Sequence, residues 1–219
     1  MSAGSVPWAP HRLGDSVSEE NLWLVRARAG DAQAFTRLVE VYQTPIYNLC
    51  YRMLGEAGEA EDAAQETFLR GYTQLSRYDP QRSFKTWLFS IASHHCIDRL
   101  RKRRFAWLSL DEPPPAHPAL RDREPEPETT VVQREREAHI NRLMAKLQPD
   151  DRAVVAMRYW YDMSYEEISK ATGATVSAVK SRLHRARRAL GELLSPTPDL
   201  TPGPSPSGRG ERPLKAVAG

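Results

Sequence analysis

The stretch RSFKTWLFSIASHHCIDRLRKRR, residues 82–104, gathers aromatic, basic and histidine side chains on what its periodicity predicts to be one helix. Two kinds of chemistry are conceivable there. Exposed aromatics beside basic groups suit unstacked single-stranded bases, each stacked base contributing about 1–3 kcal/mol. The run His94-His95-Cys96 instead suggests a metal site, but neighbouring residues on a helix point roughly 100° apart and converge poorly on one ion. Phe84, Trp87, Leu88, Ile91 and Ala92 recur at three- and four-residue spacings and are expected to pack inward, with Ile97 and Leu100 continuing the stripe. Lys85, Thr86, Phe89, Ser90, Ser93 and His94 are expected to face outward. Base stacking by Trp87 is the alternative to a core role. Arg99, Arg101, Lys102, Arg103 and Arg104, partly offset by Asp98, close the helix. Basic residues are favoured at a helix C-terminus in any case, so this run alone does not settle its use.

A second basic helix lies further on. In MSYEEISKATGATVSAVKSRLHRARRAL, residues 163–190, Ser164 and Glu167 have capping-box spacing, Gly173 makes a tight break, and Thr175 or Ser177 opens the next helix. Val176, Val179, Leu183, Ala186 and Leu190 form its packing face. Lys180, Arg182, Arg185, Arg187 and Arg188 occupy the other, with no acid on this helix before Glu192. This is the pattern of a helix-turn-helix whose second helix enters the DNA major groove, its N-terminal residues on base edges and its later basic residues on phosphates. A solvated bundle helix is the plainer reading of the same charges.

The remaining chain must position these two helices. It has 219 residues, 40% hydrophobic and 27% charged, with a formal net charge of +3. That balance is ordinary for a globular chain, and patches matter more than the total. Residues 1–18 read as a mobile tail. A helix with Leu22, Val25 and Ala29 on its inner face is expected next, then one capped by Asp31 with Ala34, Phe35, Leu38, Val39 and Tyr42 inward. Pro45 starts a new helix or kinks the old one, and Ile46, Leu49, Cys50, Met53 and Leu54 continue the apolar face. Glu56, Glu59, Glu61, Asp62 and Glu66 form an acidic block before Arg70. It either complements a helix dipole or docks a basic protein surface. Ala63, Ala64, Thr67, Phe68 and Tyr72 are expected inward. Residues 77–84, RYDPQRSF, read as a loop.

Residues 110–128 carry six prolines and six carboxylates against two arginines, too little apolar surface to fold alone. A second helical block follows, with a turn at residues 148–150 and Asp150 or Asp151 near the start of the next helix. Six prolines in residues 195–219 mark another tail. The expected layout is all-α: a tail at 1–18, a helical domain at 19–106, an acidic proline-rich linker at 107–129, a helix-turn-helix domain at 130–194 and a tail at 195–219. Cys50 and Cys96 lack the spacing of a disulfide framework or a zinc site. No apolar run of membrane length or signal peptide is evident, and a cytoplasmic protein is expected. No Gly-rich phosphate loop, nucleophile motif or carboxylate–metal constellation can be assembled. The chain is therefore expected to be no enzyme and to use no cofactor and no metal.

Taken in order, AEDAAQETFLRGY, FKTWLFSIA, IDRLRKRR and MSYEEISKATGATVSAVKSRLHRARRAL resemble the sigma-70 family, in its small two-domain extracytoplasmic-function (ECF) group. The resemblance spans about residues 31–194. It implies transcription initiation: a region 2 domain, a region 4 domain, and a linker threading near the polymerase active site. By that resemblance Asp62, Gln65, Glu66, Leu69 and Arg70 would meet the β′ clamp helices of core RNA polymerase, with the β flap as a further contact. Tyr78, Asp79, Gln81, Arg82, Ser83, Lys85, Phe89, His94, Arg99 and Arg101 would hold flipped bases of the −10 element. Ser177, Lys180, Ser181, Arg182, Arg185 and Arg188 would read the −35 element. An anti-sigma protein is the expected regulator. The chain departs from the family at Ser93-His94, where Arg-Asn is frequent, so contacts there are expected to differ. The rival expectations are a conventional helix-turn-helix regulator that binds duplex DNA unaided, and a nucleic-acid-processing enzyme.

Overall fold

The computed structural model describes residues 13–109 and 131–194, and within them eight α-helices and no strand. The expected linker and C-terminal tail lie outside the described residues, as does the first part of the N-terminal tail. Helix α1 (Leu13–Arg28) begins within the stretch read as tail. Its inner face is carried by Leu24 and Ala27, whereas Leu22 and Val25 are exposed, which corrects the expected register. Leu22, Val25 and Ala29 satisfy helical spacing equally well. Only packing against α2 selects the other stripe.

Asp31 caps α2 (Ala32–Leu54), accepting from the amides of Gln33 and Ala34 at 2.9 and 3.2 Å while Arg26 braces it at 2.7 Å. Pro45 neither starts a helix nor ends one; α2 runs through it, with its side of the helix buried. A proline lacks the amide that would bond four residues back, and burial along the whole helix outweighs that loss. Gly55, at φ +81°, closes α2 in the left-handed conformation and donates to Tyr51.

Helix α3 (Ala57–Gln74) is capped by the Glu56 carboxylate on the amides of Gly58 and Glu59. Part of the acidic block thus serves the helix start. Ala63, Ala64 and Thr67 face inward as expected, but Tyr72 is half exposed, edge-on to Phe35. At Gly71 a Cβ would stand 3.3 Å from Leu88, so the glycine lets α3 close onto α4. A single 3-10 turn (Leu75–Arg77) and a loop lead to α4 (Phe84–Ser109).

In the second block, α5 (Val131–Ala145) and α6 (Pro149–Trp160) precede the pair α7 (Tyr165–Thr172) and α8 (Val176–Leu194). Pro149 occupies the first helical position of α6, where a missing amide costs nothing, and Asp150 and Asp151 fill its first turn. The two blocks share one continuous core. Leu38, Ile46, Leu49, Met53, Leu88 and Phe89 belong to the same buried cluster as Val154, Met157, Met163 and Ile168. Cys50 and Cys96, remote in sequence, are both buried and unoxidised. The Cys96 thiol is hydrogen-bonded to Cys50, which together with burial pushes it well above the usual thiol range.

Candidate nucleic-acid interface

The helix-turn-helix forms as its residues dictate. Ser164 accepts from the Glu167 amide at 3.1 Å and Glu167 returns the bond to the Ser164 amide at 2.8 Å, a complete capping box. Gly173 takes φ +68° between the two helices. Of the two candidate caps, it is Thr175 whose hydroxyl accepts from the Ala178 amide, at 3.1 Å. Val179, Leu183 and Ala186 are buried, while Ser177, Lys180, Ser181, Arg185 and Arg188 are exposed and Arg182 is half-buried.

Along the α8 sequence those cations meet no acid until Glu192; in space they do. Asp151 accepts from Arg185 at 2.7 and 3.3 Å, an exposed guanidinium whose pKa this carboxylate raises further. Asp150 lies 3.2 Å from Arg182, Glu192 pairs with Arg188 at 2.9 Å, and the Lys180 ammonium sits 5.7 Å from the centre of the Tyr165 ring. Sequence inspection missed Asp150 and Asp151 as partners of α8 because they belong to α6. Their only sequence signal was a place near a helix start.

On α4 the expectations divide. Asp79, Gln81, Arg82 and Ser83 form an exposed loop, with the Asp79 carboxylate accepting from the Gln81 amide at 3.0 Å. Tyr78 is buried rather than presented. Its ring lies edge-on to Phe84 and against Trp87, and its hydroxyl donates to the Arg82 carbonyl, so it anchors the loop from beneath. Trp87 is thereby half-buried in an aromatic cluster, as a packing role requires. His94 and Arg101 are exposed and Arg99 is partly so.

Phe89 faces inward, fully buried, contrary to expectation; Thr86 and Ser93 are buried as well. The reason is that α4 is covered on two sides, by α2 and α3 of its own block and by α6 and α7 of the other. The Tyr161 ring stands edge-on to Phe89 at 4.7 Å, its hydroxyl donates to the Pro45 carbonyl at 2.7 Å, and its own carbonyl accepts from Lys85 at 3.2 Å. Burial beneath this turn lowers the Lys85 pKa and raises that of the Tyr161 phenol. Lys85 is half-buried rather than open.

The two histidines diverge as helix geometry demands. His94 is exposed, with Nδ1 2.8 Å from the Ser90 carbonyl. His95 turns under α3 toward Glu66 and Arg70, and burial lowers its pKa, reinforced by Arg70 and Arg99. Among the described residues no group of three or more His, Cys, Asp or Glu side chains is placed to hold a metal ion.

A separate surface lies on α3. Asp62, Gln65 and Leu69 are exposed, flanked by Glu66 and Arg70, which pair with each other at 2.6 Å. An apolar residue 62% exposed among charges is the composition of a docking surface rather than of a solvated helix. On the second block, Ile140, Met144, Val155, Trp160, Leu190 and Leu194 line an apolar groove of about 410 Å³ between α5, α6 and α8.

Fold and surfaces together define an all-helical DNA-binding protein with a four-helix block and a helix-turn-helix block. The family model Sigma-70 region 2 matches residues 38–106, and Sigma-70, region 4 matches residues 139–190. The ECF RNA polymerase sigma factor SigW of Bacillus subtilis (strain 168) is 37% identical over 180 residues, 77% of this chain and 93% of that protein. The RNA polymerase sigma-H factor of Pseudomonas aeruginosa is 33% identical over 187 residues, covering 82% and 96%. Among solved structures, CnrH in complex with the cytosolic domain of CnrY aligns with a TM-score of 0.61 at 25% identity, covering 80% of this chain and 97% of that one. The chain belongs to the sigma-70 family of RNA polymerase sigma factors, in its ECF group. Among the described residues no helix is long and apolar enough to cross a membrane.

Proposed function

We propose that this sigma factor recruits core RNA polymerase to promoters with −10 and −35 elements and promotes strand opening without catalysing a reaction itself. The observation that carries the reading is the ordered pair of surfaces, an exposed acidic and apolar face on α3 followed by a basic recognition helix α8. Asp62, Gln65, Glu66, Leu69 and Arg70 would dock on the β′ clamp helices, and the apolar groove of the second block would take the β flap. The loop Asp79–Ser83, with His94, Arg99 and Arg101, would hold the melted −10 strand, and Ser177, Lys180, Ser181, Arg182, Arg185 and Arg188 would contact the −35 duplex. Melting becomes favourable when flipped bases exchange pairing for stacking and pocket contacts. Such work takes place in the cytoplasm. CnrH has been solved with the cytosolic domain of CnrY, and a protein partner of the anti-sigma kind is proposed here as well.

Reconstitution with core polymerase tests the reading. The purified chain is expected to bind core and yield transcripts with discrete start sites from genomic templates. Neither binding nor transcripts, at low salt, would reject it. Footprints on duplex DNA without polymerase would favour a conventional regulator.

A further inference from the structure

One carboxylate holds both helices assigned above to DNA. Asp150 Oδ2 accepts from Arg101 of α4 at 2.9 Å, and its Oδ1 lies 3.2 Å from Arg182 of α8. The −10 and −35 elements are separated, by their names, by about 25 base pairs, roughly 85 Å of B-form duplex. Two arginines that share a single carboxylate cannot span that distance. The arrangement described here is therefore not the one that engages a promoter.

What closes it resembles the ligand it excludes. Asp150 supplies an anion where phosphate would lie, and Asp151 does the same for Arg185 at 2.7 Å. The Tyr161 ring covers Phe89 and caps the Lys85 ammonium with its carbonyl. These contacts come from α6 and the turn after it, a segment with no DNA role of its own under the reading above.

We propose that the chain is autoinhibited by an internal latch, Asp150 with Tyr161, which occupies the α4 and α8 surfaces until nucleic acid or polymerase displaces it. The inference rests on the assignment of those two helices to DNA. Because opening replaces internal ion pairs with phosphate contacts, the latch sets apparent affinity without changing any DNA-contacting residue. A closed population reduces affinity in proportion to the fraction that is open.

The test uses the full-length chain, a fluorescent mixed-sequence single-stranded oligonucleotide and small-angle X-ray scattering. Asp150→Asn removes the shared charge while preserving size, and Tyr161→Phe removes only the bond to Pro45; Asp150→Asn/Tyr161→Ala removes both parts. The double variant is expected to show a larger radius of gyration and at least about tenfold tighter oligonucleotide binding, with the single variants between it and the wild type. Retained helical circular dichroism distinguishes opening from unfolding, and if Tyr161→Ala unfolds, Asp150→Asn with Tyr161→Phe carries the comparison. An unchanged radius of gyration overturns the latch. A larger radius with unchanged affinity overturns the masking. Failure of both forms to bind the oligonucleotide at low salt overturns the DNA assignment, and the proposal with it.

Discussion

Single residues in this chain answer to neighbours that no local pattern names. Glu20 accepts from the Tyr42 hydroxyl at 2.8 Å across the α1–α2 contact. Burial raises its pKa, and the tyrosine bond only partly opposes that. A raised carboxyl pKa means the folded state holds the proton more tightly than the unfolded one. Its contribution is thus present at low pH and lost as pH climbs from the ordinary glutamate range through the raised value. Glu20→Gln keeps an acceptor for Tyr42 and abolishes the titration. Its melting temperature relative to wild type should rise across that interval and then level off, and thermal denaturation at a series of pH values would show a flat or falling difference if the assignment is wrong.

Arg152 makes the sharper case. It is buried, and burial followed by the nearby Arg103 lowers its pKa to about 10, still charged at neutral pH. The guanidinium donates to the Met53 carbonyl at the end of α2, to Ala145 at 2.9 Å and to Leu147 at 3.4 Å. A lysine cannot reproduce that planar fork. Arg152→Lys should cost about 1.5–3 kcal/mol of stability, measured by urea unfolding.

At the scale of elements, most helices declare themselves by period and caps, but their outward faces are where function must be argued. Helix α3 shows this best. Its start is explained by the Glu56 cap and its inner face by Ala60, Ala63, Ala64 and Thr67. Neither account needs an exposed leucine at position 69. If that face docks on polymerase, Leu69→Asp should weaken core binding by about tenfold or more while leaving the melting temperature close to wild type. An affinity unchanged in a pull-down or anisotropy titration with core polymerase would remove α3 from the interface. Helix α8 teaches the converse. Its basic face reads from the sequence as unopposed, yet α6 supplies the opposing acids, so a charge run on one helix describes a surface only once its neighbours are known.

Across the whole molecule, the contact between blocks changes what the parts can do. Read separately, α4 and α8 are two DNA-binding helices on two modules. In the fold they are drawn together over α6, and Arg52 adds a stacking contact on Trp160 at 5.0 Å. A promoter requires the blocks apart, whereas the shared core favours them together. The balance between the two is the natural target for any partner that controls this sigma factor.

Much of the fold was legible in advance for a simple reason: helical period, the Asp31 cap, the Ser164–Glu167 box and the Gly173 turn are all decided by residues within one or two helical turns of each other. The helix-turn-helix and the exposed residues Asp62, Gln65 and Leu69 followed from the same local information. Four features did not follow. These are the buried stripe of α1, the inward turn of Phe89 and Tyr78, the meeting of Cys50 with Cys96, and the pairing of Asp150 with arginines from two other helices. Each depends on which surfaces come together from distant parts of the chain. A side chain's spacing says which helix face it occupies, but not how many faces of that helix are covered. Local sequence thus determined the helices and the family; tertiary packing alone decided which of their basic and aromatic residues are free to meet DNA.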